Sequence, residues 1–244
     1  MRKVIGVICL IASGAAFLYV LYGCWVNRQY EQYAKEVDGL EDTYTTGTPE
    51  SFSVDWDSLF SLCGDVVGWI RMDPDISYPV VHSRDNSYYL RRGLDGEYNP
   101  NGSLFMDGNN QALTDAHVII YGHNMRSGTM FGKLRQYQDP AYAKEHDVIR
   151  LYTPDGSCHL YQIFSVLPTE DGSWAYRTVA SQGIDISQFL EQAKASSTYW
   201  NDDLLLDENS QILSLSTCRG KSGGRLRLMV SAVYIGEEQC ENEN

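Results

Sequence analysis

The sequence predicts a mainly β domain, either a sandwich or a barrel, that follows one membrane-spanning helix. Many short β-prone runs alternate with turn residues, which is typical of sandwiches and barrels. The 17 tyrosines and 21 glycines suit strands and loops better than a helical bundle. One long apolar run, residues 4–26, stands apart from this pattern. The length of 244 residues fits one domain or at most two.

The charge balance excludes one class of partner. The chain has 19 Lys and Arg against 32 Asp and Glu, a formal net charge of −13. A nucleic-acid-binding protein needs a basic face to meet phosphate, so nucleic acid is not an expected partner. Hydrophobic residues make up 43% of the chain, which is enough for a folded core.

The apolar run at residues 4–26 contains no charge and is long enough to span a bilayer, which takes about 20 residues. Arg2 and Lys3 precede it and favour a cytoplasmic N-terminus. A cleaved signal peptide would need a small-x-small cleavage site, and the run offers no convincing one. A lipoprotein box before Cys24 would need a small residue where bulky Tyr22 stands. We therefore expect an uncleaved, single-pass anchor with the rest of the chain outside the cytoplasm.

The six cysteines agree with an extracellular location but do not define a pairing. Cys9 and Cys24 lie in the apolar run. No Cys/Cys or Cys/His pair has zinc-ligand spacing, so a structural metal is not expected. A disulfide among Cys63, Cys158 and Cys240 stays open at this stage.

Periodicity predicts helices near residues 55–63 and 187–200, the first capped by Ser53 or Asp55. The turn at 154–157 joins two β-prone runs and predicts a β-hairpin. The β-prone runs are residues 66–72, 78–82, 103–107, 117–122, 148–153, 158–166, 211–217 and 225–235.

Reactive side chains follow two of these runs. His123 comes after the run that ends at Gly122, and Cys218 comes directly after residues 211–217 and before a Gly-rich loop. A thiol at a strand end can act as a nucleophile if a cation lowers its pKa or a base takes its proton. Arg225 and Arg227 follow in the last run, where alternation places both on one face. Each residue taken alone is more often structural, and spacing does not show that they converge.

Several motifs resemble those of class B sortases, which are membrane-anchored cysteine transpeptidases of Gram-positive bacteria. Residues 119–125 resemble the histidine motif, and residues 213–218 resemble the cysteine motif, in which Thr precedes the nucleophile. Residues 227–232 resemble the arginine strand. The resemblance covers about residues 54–236 with the motifs in family order. Further similar stretches are residues 66–70, 78–81 and 85–90.

The resemblance implies a closed eight-stranded β-barrel with helices at its N-terminus and in a late strand connection. Together with the apolar run and the Thr/Gly/Pro-containing stretch that follows it, the resemblance divides the chain. We expect a cytoplasmic N-terminus at residues 1–3, the anchor at 4–26, an extracellular helix and linker at 27–50, and the sortase catalytic domain at 51–244.

The resemblance also implies roles for individual residues. Cys218 matches the nucleophile, His123 the acid/base and Arg227 the oxyanion partner, with Arg225 as the alternative. If Arg227 is catalytic, Arg225 is left to groove binding or solvation. The positions expected to bind the sorting signal are Asn86, Leu90, Tyr121, Tyr176, Ser216 and Thr217. No metal or organic cofactor is expected.

The implied reaction is cleavage of a C-terminal sorting signal after Thr and transfer of the acyl group to an amine. The expected partners are surface proteins that bear such a signal, the peptidoglycan precursor cross-bridge and the cell membrane. An alternative is a pilus-type enzyme that joins pilins through a lysine. Another is a catalytically silent anchored barrel that only binds. A wall enzyme of the L,D-transpeptidase type is disfavoured, because those usually place Gly before the Cys and this chain has Thr217.

Overall fold

The computed structural model describes residues 2–47, 51–177, 185–218 and 224–239, with the backbone alone at residues 2–12, Tyr30, Cys218 and Gln239. The chain begins with a long helix, α1 (Arg2–Tyr44), followed by a two-strand pair, β1 (Thr45–Thr46) and β2 (Ser53–Val54). Helix α1 thus extends to Tyr44 within the segment 27–50, for which a helix and linker are expected. In the described part of the chain, no helix combines the length and apolar character needed to cross a membrane. For the first part of the predicted anchor at residues 4–26 only the backbone is described, and the anchor stays a prediction.

Eight strands close into a barrel, which confirms the architecture that the resemblance implied. Around the barrel the order is β11, β10, β6, β5, β4, β3, β7 and β8, and β8 pairs with β11 to close it. The short β9 extends the sheet beyond β8. The bounds are β3 (Val66–Met72), β4 (Ile76–His82), β5 (Leu104–Met106), β6 (His117–Tyr121), β7 (Val148–Tyr152), β8 (Ser157–Glu170), β9 (Tyr199–Trp200), β10 (Ile212–Cys218) and β11 (Leu226–Gln239).

Alternation along the strands separates an inner face from an outer one. Leu213 and Leu215 of β10 pack in the same buried cluster as Val118 and Ile120 of β6, which fills the barrel. Ile212, Ile119 and Met229 have the opposite parity on their strands and pack instead in a cluster with Phe189 on the outside. Position 218 of β10 and position 227 of β11 have the parity of this outer face. The Arg227 side chain is accordingly only partly buried.

Three further helices cover the barrel: α2 (Trp56–Leu62), α3 (Pro140–Glu145) and α4 (Ile186–Ser196). Asp55 caps α2 by accepting a hydrogen bond from the Ser58 amide at 3.1 Å, which selects it over Ser53. The predicted helix at 187–200 is four residues too long. It ends at Ser196 because Thr198 donates to the carbonyl of Val166 on β8 and the chain continues as β9.

The predicted hairpin is confirmed, since β7 and β8 pair antiparallel across the turn at 154–157. Gly156 has a φ of +88° there, a conformation that favours glycine. Cys63 and Cys158 are both buried and form no disulfide with each other, and Cys240 lies outside the described residues.

Candidate active site

His123 and Cys218 lie at the same edge of the barrel because the strands that lead to them are parallel neighbours. Tyr121, the last residue of β6, pairs with Ser216 of β10. Two residues further along each strand bring the chain to His123 and to Cys218. The strand ends stay joined beyond the ladder, because the Gly122 amide donates to the Ser216 carbonyl at 3.1 Å.

Gly122 has no room for a side chain. A Cβ at this position would collide with the side chains of Leu104 and Phe131. The hydroxyl of Thr217 donates to the Gly122 carbonyl at 2.8 Å, and Thr217 is only 3% exposed. The two residues that precede His123 and Cys218 therefore fasten the strand ends to each other.

The imidazole of His123 is held by a backbone carbonyl. Its Nε2 lies 2.6 Å from the carbonyl oxygen of Leu90, in the 3₁₀ helix Tyr88–Arg91. A carbonyl oxygen only accepts hydrogen bonds, so Nε2 carries the proton and Nδ1 is the nitrogen able to accept one. Burial lowers the pKa of His123 below its ordinary value of 6.5, and the charge of Arg91 acts in the same direction, while the Leu90 hydrogen bond opposes them. His123 is therefore mostly neutral at pH 7.

The register between β10 and β11 distinguishes the two candidate arginines. Arg227 is the direct partner of Cys218, and directly opposite positions of an antiparallel pair share a face. Arg225 precedes β11, which begins at Leu226, so the expectation that both arginines lie in one strand is wrong. Within the described residues, β10 extends to Cys218, and its register with β11 does not include Arg225.

Both arginines contact the turn after β8. The guanidinium of Arg227 forms an ion pair with Asp171, Nη2 to Oδ2 at 3.0 Å, and donates from Nη1 to the Gly224 carbonyl at 2.6 Å. Arg225 donates to the backbone carbonyl of Asp171 at 3.2 Å. Asp171 therefore holds the Arg227 side chain at this edge, and nothing in the sequence singled it out.

Four of the residues expected to bind the sorting signal lie in one connected cluster. The rings of Tyr121 and Tyr176 stack with centroids 6.3 Å apart, and the Tyr176 hydroxyl lies 2.8 Å from the Ser216 hydroxyl. The carboxylate of Asp107 connects Tyr121 to Asn86, accepting from the Tyr121 hydroxyl at 2.7 Å and from the Asn86 amide at 3.0 Å.

Leu90, a fifth residue expected in the groove, contacts the histidine. Its carbonyl contacts His123, and its side chain is 39% exposed. Thr217 is buried, like Ser216, but its hydroxyl bonds to the backbone of Gly122 and not to another groove residue. Asp107, by contrast, was missed: in the sequence it is the last residue of the β-prone run 103–107, and only the fold shows its carboxylate among the groove residues.

The comparisons with known proteins agree with this geometry. The family model of the sortase domain matches residues 73–235. The chain belongs to the sortase family. A sortase B of Listeria monocytogenes is 32% identical over 180 residues, which cover 73% of this chain and 72% of that protein.

Solved structures point to the same class. A Staphylococcus aureus sortase B–substrate complex superposes with a TM-score of 0.66 at 27% identity, covering 88% of this chain and 98% of that one. A Streptococcus pyogenes class B sortase involved in pilus biogenesis has a TM-score of 0.67 at 25% identity, covering 75% of this chain and 98% of that one. This sortase is thus a cysteine transpeptidase with class B relatives.

Proposed function

We propose that this sortase cleaves a C-terminal sorting signal after Thr and transfers the acyl group to an amine of the peptidoglycan precursor. The observation that supports this most strongly is the strand order. Cys218 ends a strand whose parallel neighbour leads to His123 and whose antiparallel neighbour carries Arg227 directly opposite. Adjacent strands lie about 4.8 Å apart, so all three residues can reach one carbonyl carbon.

In the proposed reaction, His123 takes the thiol proton and the Cys218 thiolate attacks the Thr carbonyl carbon. Neutral His123, the form that its lowered pKa favours, is able to accept this proton. A C–S bond forms, and the carbonyl electrons move onto oxygen. Arg227 stabilises this oxyanion by donating hydrogen bonds from its guanidinium. A guanidinium has five N–H donors, and Asp171 and Gly224 accept from only some of them.

The tetrahedral intermediate collapses when His123 gives its proton to the departing amine and the C–N bond breaks. A thioester on Cys218 remains. The acceptor amine then attacks this thioester, loses a proton to His123, and releases the thiolate with a new amide bond. The cluster of Asn86, Tyr121, Tyr176 and Ser216, with Leu90, provides the groove in which the signal lies.

A second acceptor is a lysine of a pilin. The similarity to a class B sortase involved in pilus biogenesis favours it. Product analysis distinguishes the two functions. The purified enzyme is given a sorting-signal peptide together with a cross-bridge peptide and a lysine-containing pilin peptide. Mass spectrometry of the ligated product identifies the acceptor. Absence of any cleavage or ligation, with Cys218 unlabelled by a thiol-reactive sorting-signal mimic, would favour a silent binding barrel instead.

We also propose that residues 4–26 anchor the enzyme in the cell membrane with the barrel outside. The support is the uncharged apolar run, preceded by Arg2 and Lys3. Protease added to intact protoplasts should digest the barrel. Protection of the barrel would contradict this orientation, and recovery of a chain shortened near residue 26 would contradict the uncleaved anchor.

A further inference from the structure

Four hydrogen-bond donors converge on one buried carboxylate, that of Asp107, which is 4% exposed. Its Oδ2 accepts from the Tyr121 hydroxyl at 2.7 Å and from the Asn86 side-chain amide at 3.0 Å. Its Oδ1 accepts from the backbone amide of Asn109 at 2.8 Å and from the Asn109 side-chain amide at 2.9 Å. One oxygen therefore faces two groove residues and the other faces a turn.

This arrangement suits only an ionised carboxylate, since all four partners donate and the group must accept every time. An amide of the same shape cannot replace it. An NH₂ at the Oδ2 position would face the donors of Tyr121 and Asn86, and an NH₂ at the Oδ1 position would face those of Asn109. The Tyr121 hydroxyl and the Asn109 side-chain amide can each turn to present an acceptor, but the backbone amide of Asn109 can only donate, so the NH₂ is directed toward Tyr121 and Asn86. The hydrogen bond from Asn86 is then lost, and the Tyr121 hydroxyl must accept instead of donating.

The carboxylate fixes how the two groove residues present their polar groups. Asn86 is held from its other side as well, because its Oδ1 accepts from the Gly108 amide at 2.7 Å. Burial, together with the charge of Asp107 and its hydrogen bond, raises the pKa of Tyr121 well above the ordinary value. The Tyr121 hydroxyl thus stays protonated and keeps donating to Asp107, while its ring stacks on Tyr176.

We propose that Asp107 is a positioning residue for sorting-signal recognition, which acts by orienting Asn86 and Tyr121 in the groove. The inference rests on the proposed function, because it assigns Asp107 to the groove of that reaction. Asp107 belongs to no part of the bond-making set of Cys218, His123 and Arg227. Its loss should therefore weaken peptide binding and leave the chemical step nearly intact.

The test compares Asp107→Asn with Asn109→Ala. Both remove hydrogen bonds from the same carboxylate, but only the first can disturb the oxygen that faces the groove. Initial rates are measured with a fluorogenic peptide that the wild type cleaves after Thr, chosen from a sorting-signal library. We expect Asp107→Asn to raise KM about tenfold with kcat within about threefold, and Asn109→Ala to leave KM within about twofold.

A double-mutant cycle with Tyr121→Phe separates positioning from a general structural effect. If the Tyr121 hydroxyl acts through Asp107, the double variant should have nearly the KM of Asp107→Asn alone. Iodoacetamide alkylation of Cys218, followed by mass spectrometry, should proceed at the wild-type rate in every variant. If Asp107→Asn does not fold, Asp107→Glu takes its place in the cycle, because it keeps the charge and shifts the oxygens.

Several outcomes would overturn the inference. These are an unchanged KM in folded Asp107→Asn, an equal KM rise in Asn109→Ala, additive effects in the cycle, or a joint fall of kcat and alkylation rate. The wild type is assayed before any variant. If it cleaves no peptide from a sorting-signal library, the proposed function itself is overturned.

Discussion

One histidine begins strand β6 and another follows two residues after its end, and the two have different environments. His117, its first residue, is 2% exposed, lies 2.8 Å from the Ser214 hydroxyl through Nε2, and packs against the ring of Phe189. His123, two residues past the other end, is half-buried and contacts the Leu90 carbonyl. Burial lowers the pKa of both, and that of His117 to about 3.

Both histidines belong to the same pair of parallel strands, so the difference comes from what covers each end. At the His117 end, α4 lies over the outer face and buries the ring with Phe189. At the His123 end, the strands lead to Cys218, Arg227 and the groove residues. The same residue type is thus a core hydrogen-bonding group under a helix and a proposed acid/base at the open edge.

The largest expected effect comes from exchanging the two histidines for glutamine. His123→Gln should lower kcat by ~10²–10⁴, the usual contribution of a general acid or base. His117→Gln keeps an uncharged hydrogen-bonding side chain near Ser214 and should leave kcat within about threefold. Peptide cleavage by both purified variants, with circular dichroism as a check of folding, measures this. A large loss of kcat in His117→Gln alone would reverse the comparison.

The arginines give the next effect. Arg227→Ala and Arg227→Lys should both lower kcat by ~10²–10³, because an oxyanion donor is lost and Lys lacks the planar fork. Arg225→Ala should mainly raise KM, since Arg225 lies outside the register with Cys218. Steady-state kinetics of the three variants provides the check. The opposite pattern would transfer the catalytic role to Arg225.

The buried histidine predicts how stability depends on pH. The unfolded chain binds a proton at His117 below pH 6.5, whereas the folded protein resists this until about pH 3. The free energy of unfolding should therefore fall between pH 6.5 and pH 3, by about 1.4 kcal/mol per unit from this group. Urea denaturation at pH 7, 5.5 and 4 measures the slope. His117→Gln should flatten it, and an equal slope in that variant would assign the effect to other groups.

The smallest effect concerns the pH dependence of the reaction. The pKa of His123 lies below 6.5, so kcat/KM should decline on the acidic side only below that pH, where His123 becomes protonated. Loss of the Cys218 thiol proton should lower kcat/KM on the alkaline side, so the profile should be bell-shaped. Arg91→Gln removes a nearby positive charge and should shift the acidic limb to higher pH. A flat profile from pH 5 to 10 would contradict an acid/base pair in the rate-limiting step.

Local structure was largely predictable from the sequence. The runs at 66–72 and 148–153, the hairpin turn at 154–157 and the Asp55 cap depend on neighbours in the chain, and all are found. The end of α4 was not predicted. Residues 199–200 extend a helical pattern in the sequence, but their pairing with β8 outweighs it.

The candidate site shows the same division. His123, Cys218 and Tyr121 were recognised from motifs, since each follows or ends a strand. Their convergence depends on the parallel pairing of β6 with β10, which joins residues about 95 positions apart and has no local signal. Asp107 and Asp171 were missed for the same reason, because a carboxylate beside a turn is common and only tertiary structure supplies its partners.

The most direct measurement is the site of the thioacyl intermediate. The wild type is incubated with a sorting-signal peptide without an acceptor amine, quenched in acid, digested and analysed by mass spectrometry. The account predicts an acyl adduct that ends at Thr on Cys218, lost on addition of an acceptor amine and absent from Cys218→Ala, which should still fold. An adduct on Cys63 or Cys158, or cleavage by Cys218→Ala at the wild-type rate, would contradict it.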